Sequence, residues 1–188
     1  MTSSITAGCS STPEKCVPPK LLECENADLQ GADLRGEYLL VANFKNANLS
    51  GANLTSAVLT NANLTGANLT QANLTGAYLS RARLIGAELL SSNLRGADLN
   101  GANFVDANLK NANLSGTNMT DTNFTGADLS FANLMGAKTS TYGGAVVTDA
   151  NLTGANLTDS ELEFTDMTGT VLTDAVMPDG SIYTQPSS

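Results

Sequence analysis

From Leu29 onward a large apolar side chain returns at every fifth position: Leu34, Leu39, Phe44, Leu49, Leu54, and on to Phe124, Leu129 and Leu134. Two residues before each stands a small residue, nearly always Ala, and the residue between them is usually Asn or Asp. Gly often follows two places after the large one. A period of five keeps Leu on one side of neither a strand, with period two, nor a helix, with period 3.6. A chain that turns a right angle every five residues does keep it there. Four such segments close a square coil, with Leu and Ala inside and three polar positions outside. Coils stacked at about 4.8 Å satisfy one another's backbone N–H and C=O groups. The pattern predicts an all-β solenoid of about seven to eight coils.

Sorted by coil, the central residues fall on four walls. The first carries Leu29, Leu49, Leu69, Leu89, Leu109 and Leu129, and the second Leu34 through Leu134. The third carries Leu39, Leu59, Leu79, Leu99 and Met119. The fourth holds Phe44, Phe104 and Phe124, with Leu64 and Leu84 between. The phase then slips: Val147, Leu152, Leu157, Leu162, Met167, Leu172 and Met177 follow another register. Tyr142, Gly143 and Gly144 read as a three-residue insertion at a corner, a small loop with a candidate contact residue in Tyr142. The organisation is a tail and cap over 1–26, a first array over 27–141, the insertion over 142–144, a second array over 145–179 and a tail over 180–188.

Solenoids need capped ends. Thr12-Pro13-Glu14 has the form of a helix start, so a short helical cap is expected there, ended by Pro18-Pro19. Cys24 lies five residues before Leu29, which points it inward. Pro178-Asp179-Gly180 reads as a turn. Cys16 and Cys24 are a candidate disulfide, against two reduced thiols as the alternative; Cys9 sits in a Ser/Thr-rich tail.

The run of Ala-[Asn/Asp]-Leu-x-x segments, such as Ala52-Asn53-Leu54-Thr55-Ser56 and Ala67-Asn68-Leu69-Thr70-Gln71, resembles the pentapeptide-repeat family from Ala27 to about Ala175. The resemblance implies a right-handed quadrilateral parallel β-helix. The ending Met177-Pro178-Asp179-Gly180-Ser181 is similar to that of cyanobacterial members.

Composition narrows the chemistry. Charged residues are 14% of the chain, against about 25% in ordinary domains, and aromatics only 5%. Net charge is −9, and all 9 bases precede Thr139, after which 7 acids stand alone. An acidic end argues against nucleic-acid binding there. No stretch is long and apolar enough for membrane insertion. Met1 to Ser10 has no apolar run, so no signal peptide is expected, and Thr6-Ala7-Gly8-Cys9 lacks the hydrophobic segment of a lipoprotein signal. The expected compartment is the cytoplasm, or the periplasm or thylakoid lumen if a leader was removed or Cys16 is bridged to Cys24.

Histidine is absent, which removes Ser–His, Cys–His and His–metal arrangements. Three Cys are too few for an ordinary zinc site. No Gly-rich loop has phosphate-binding form, and Asp28, Asp33, Asp98 and Asp128 stand on outer walls without a cleft. No cofactor and no enzymatic activity are expected. Glu37 takes an inner position where Ala is usual, with Arg35 as its expected partner.

One wall departs from the polar pattern. Tyr38, Val58 and Tyr78 stand one coil apart where Asn belongs, and Leu40 and Val41 extend the apolar patch. Such patches mark interfaces; the alternative is that the N-terminal segment folds back over this one. The reading is a non-catalytic rigid scaffold for protein–protein interaction, its partner unidentified and a second copy of the chain among the candidates. The alternative, implied by the family resemblance, is a DNA mimic that inhibits DNA gyrase, as in quinolone resistance. Duplex DNA carries one charge per roughly 1.7 Å, so a rod of roughly 36 Å, built from coils at about 4.8 Å, needs on the order of 20 charges. This chain has −9.

Overall fold

The computed structural model describes residues 23–140 and 143–184. Each five-residue side ends in a tight turn, closed by the amide three residues beyond the central one. The Ala32 amide donates to the Leu29 carbonyl at 3.0 Å, and Ala52 to Leu49 at 3.0 Å. The third residue of each turn has positive φ, 66° at Gly31, 57° at Ser56 and 58° at Asn61. That is the type II pattern, and it explains why Gly, Asn, Asp and Ser recur at the corners.

Coil joins coil through parallel bridges, one per side. On the first wall Asp28 pairs with Asn48, Asn48 with Asn68, and Asn68 with Glu88. Each coil therefore holds twenty residues. The sides are too short for long strands. Only β1 (Ala145–Val146) and β2 (Phe164–Asp166), a parallel pair, extend beyond single bridges among the described residues.

The interior is a set of stacked Leu and Ala columns. Leu29, Leu49, Leu69, Leu89 and Leu109 are fully buried on one wall, and Phe44, Phe104 and Phe124 on another. The Phe104 and Phe124 rings stack with centroids 5.1 Å apart. Burying each such side chain contributes about 1.5–3 kcal/mol. Cys24 heads the Phe column and is buried. Cys16 and the expected helical cap lie outside the described residues.

Asn forms a polar rail outside this core. The Asn53 side-chain oxygen accepts from the Thr55 amide at 3.1 Å and the Thr55 hydroxyl at 2.7 Å. Asn63 donates up the wall to Asn43 at 3.3 Å. Asp28, Asp98 and Asp128 act as acceptors in the same rail, for Asn48, Asn118 and Asn151. Their role is structural.

Past residue 140 the ladder interval lengthens. Asn123 pairs with Val146, Asp128 with Asn151 and Lys138 with Glu161, while Asn151 to Val171 is again twenty. The added residues make a tight corner. Ser140 and Gly143 form an antiparallel bridge, and Gly143 lies so close to Asp121 and Thr120 that a Cβ there would collide with both side chains. Gly144 is buried, and Tyr142 lies outside the described residues.

Two expectations need correction. Arg35 pairs with Asp33, at 2.6 Å, not with Glu37. Asp33 is only one position from its own turn, so its carboxylate reaches the guanidinium first, and that contact holds the Asp33 carboxyl below its usual range. In the second array Met167 is exposed, and Leu162 and Met177 are only partly buried. Leu162 and Met167 are the last central residues of the third and fourth walls, and Phe164 packs against the core instead. A register shift between β1 and β2 accompanies that exchange. The chain closes with the Met177–Gly180 turn, the Val176–Ile182 bridge and Tyr183, whose amide donates to Ala175 at 2.7 Å.

Candidate functional site: an apolar strip on the third wall

The bridges Tyr38–Val58 and Val58–Tyr78 place these three side chains in one vertical row. Below them the row turns polar, through Asp98, Asn118, Lys138 and Glu161. Tyr38 is 83% exposed, Tyr78 52% and Val58 half-buried. Leu40 and Val41, on the same coil as Tyr38, are 50% and 62% exposed. Elsewhere the Asn at this position ties down the amide two residues on. Tyr and Val have no acceptor for that bond, worth about 0.5–1.5 kcal/mol, and they add apolar surface to water.

Val41 carries a further cost. It is a corner residue with φ 56°, in the left-handed region that a β-branched side chain avoids. Among the positive-φ residues other than Gly it shares this unsuitability with Phe131, at 59°. Phe131 was not anticipated from the pattern. Its ring lies over Gly154, where a Cβ would meet it at 2.7 Å, and stays 57% exposed. Lys110 Nζ stands 5.9 Å from the ring centroid, a cation–π contact, and Met135 is exposed nearby in sequence. The signal for it was a bulky residue at a corner that the pattern reserves for Gly, Asn, Asp or Ser.

The strip has cationic neighbours. Residues 43–87 contain no acid; Arg81 stands at the corner after Tyr78, and Arg83 on the fourth wall, in the row of Asn43 and Asn63. Neither guanidinium is in an ion pair; the two salt bridges among the described residues are Arg35–Asp33 and Lys45–Glu25. Residues 23–42, by contrast, hold Glu23, Glu25, Asp28, Asp33 and Glu37 against Arg35 alone.

A shallow cavity of about 290 Å³ lies at the far end of the same wall, lined by Thr139, Ser140, Ser160, Glu161, Leu162 and Glu163. It opens because Thr139 replaces a central Leu. Glu161 and Glu163 are both exposed, so neither sits in the apolar surroundings that tune a carboxyl for acid–base work. No group of metal-ligating side chains occurs among the described residues, and no described helix is long and apolar enough to cross a membrane.

A family model described as pentapeptide repeats matches in eight copies over residues 23–61, 62–101, 102–138 and 143–174. No curated protein matches the chain. Among solved structures it is similar to a pentapeptide repeat protein from the Arabidopsis thaliana thylakoid lumen, with 30% identity over 54% of this chain and 68% of that one, and a TM-score of 0.51. It is 31% identical to HetL, a pentapeptide repeat protein involved in heterocyst differentiation regulation in Nostoc, over 86% of this chain and 87% of that one, with a TM-score of 0.31. QnrB1, a plasmid-mediated fluoroquinolone resistance protein, matches at 24% identity over 73% and 75% of the two chains, with a TM-score of 0.45.

Proposed function

Because the chain belongs to the pentapeptide-repeat family, whose members fold as right-handed quadrilateral β-helices, we propose that it works as a non-catalytic scaffold that docks protein partners. The strip of Tyr38, Leu40, Val41, Val58 and Tyr78 is the contact surface of this reading. The observation that carries it is the exposure of stacked apolar side chains in a row that continues through the polar Asp98, Asn118, Lys138 and Glu161. Covering that surface gains roughly 25 cal/mol per Å². The left-handed Val41 supports the same reading, since local strain collects where a fold serves contacts. The corner at Gly143, where the sequence carries the Tyr142-Gly143-Gly144 insertion, is a second, weaker contact point of this reading.

Affinity capture with the wild-type chain and with Tyr38→Ser/Tyr78→Ser tests it. A partner held by the wild type is expected to be lost from the variant. Equal retention by both removes the strip from the function. A DNA supercoiling assay with gyrase decides the duplex-mimic reading, which has only the acidic end to support it; inhibition at stoichiometric protein would replace the scaffold reading.

A further inference from the structure

We propose that the cavity at the far end of the third wall binds a primary ammonium group carried on a short aliphatic stem. The site is separate from the apolar strip and does not depend on it. It forms where two coils part. Higher on the wall, Leu99 and Gly101 both donate to backbone carbonyls one coil on, at Asn118 and Thr120. Thr139 still donates to Glu161, at 3.0 Å, but Ser140 turns aside to bridge Gly143. The Glu163 amide is then held by the Thr139 hydroxyl, at 3.0 Å. At Thr120 the same bond goes to the Asn118 side chain two residues back, so the exchange leaves the Glu161 carboxylate out of the polar rail.

The lining is a set of acceptors around about 290 Å³, the small end of ligand pockets. Ser160 lines it, is 7% exposed, and has a buried hydroxyl with no hydrogen-bond partner. Thr117 and Thr122, at the same inward repeat position, donate to the Leu114 and Leu99 carbonyls, at 2.7 and 2.9 Å. The Thr65 and Ser92 hydroxyls are also buried and unpartnered, but neither residue lines the cavity. An unmet buried hydroxyl costs free energy that a ligand recovers. Glu161 and Glu163 are exposed, and the two ion pairs among the described residues lie elsewhere. From Thr139 onward there are 7 acids and no base. Lys138, one coil above Glu161 in the same row, is the competing cation. An ammonium group has three N–H donors and no acceptor, which suits two carboxylates and a hydroxyl. Leu162, half-buried in the lining, receives the methylenes. An anion would meet two like charges.

Amide NMR titration of the full chain with Nα-acetyl-lysine methylamide is the test. Putrescine serves as a second probe and Nα-acetyl-norleucine methylamide as the neutral control. Saturable shifts are expected at residues 139–140 and 160–163 with either ammonium, and none with the control. Tighter binding of the lysine derivative assigns a partner's lysine side chain, and tighter binding of putrescine a free amine. Ser160→Ala installs the residue usual at that position, so the fold is kept, and should weaken binding about threefold or more. Glu161→Gln/Glu163→Gln should weaken it about tenfold or more, and Lys138→Gln should strengthen it. Absence of a saturable shift overturns the proposal. So do shifts that spread equally to Asp149, Asp166 and Asp174, and an affinity unchanged in Ser160→Ala. Capture of a partner by the strip is read with different variants, so the two readings fail separately.

Discussion

Val41 and Phe131 each hold a backbone conformation that costs roughly 1–2 kcal/mol for an L-residue with a bulky side chain. The neighbouring corners meet the same demand with Gly, Asn or Asp at little cost. Val41→Asn should therefore stabilise the fold by about 1 kcal/mol, read as a rise in melting temperature, while weakening any contact made by the strip. A variant no more stable than the wild type would show that Val41 stores no strain. The inward Leu and Ala positions were legible in the sequence because one period governs all of them, and from Ala27 to Leu157 each is buried where the period puts it. The strip was legible for the converse reason: Tyr and Val stand at a repeat position that is usually Asn or Asp. Phe131 was not, since the period marks its position as outward without saying which sign of φ the corner requires.

At the scale of elements, the corner turn is the unit that tolerates change. Lengthening the coil from twenty to twenty-three residues disturbs neither the bridges above the corner nor the first wall below it. Deleting Tyr142, Gly143 and Gly144 should restore a twenty-residue interval and leave the protein folded, with circular dichroism and a melting temperature near wild type. Collapse of the second array would mean that these residues hold it in place. The C-terminal turn is pH-sensitive. Asp179 accepts from the Ser181 hydroxyl and amide, at 2.6 and 2.9 Å, and these bonds hold its carboxyl below the usual range. A depressed folded-state value means stability that is complete above the ordinary carboxyl range, about 3.9, and is lost as pH falls through the folded value. Tyr183 ring signals should thus report opening of the turn at low pH in the wild type, with a weaker pH response in Asp179→Asn. An identical response in both would assign the effect to other groups. The end of the second array was misread at Met167 for a physical reason. A period predicts that a side chain points inward, but burial also needs a coil beneath it, and out-of-register Phe164 competes for the same space.

The whole molecule is a one-dimensional stack in which each coil touches only its neighbours, so stability is close to a sum of local terms. The consequence is that position along the rod decides what a core lesion does. Leu89 is fully buried between Leu69 and Leu109, so Leu89→Asp places a carboxylate where no partner or water reaches it, at a cost of several kcal/mol. The coils on either side lose their common interface, and the single unfolding transition should broaden or split into two. Leu172 ends the same column and is 7% exposed, with only the closing turn near it. Leu172→Asp should release the last coil and leave the main transition in place. Thermal melts followed by amide exchange separate these outcomes: fast exchange confined to residues beyond about 160 for Leu172→Asp, and raised exchange on both sides of Leu89 for the central variant. If both substitutions lowered one sharp transition equally, the rod would be a single cooperative body, and the nearest-neighbour account of its stability would fail.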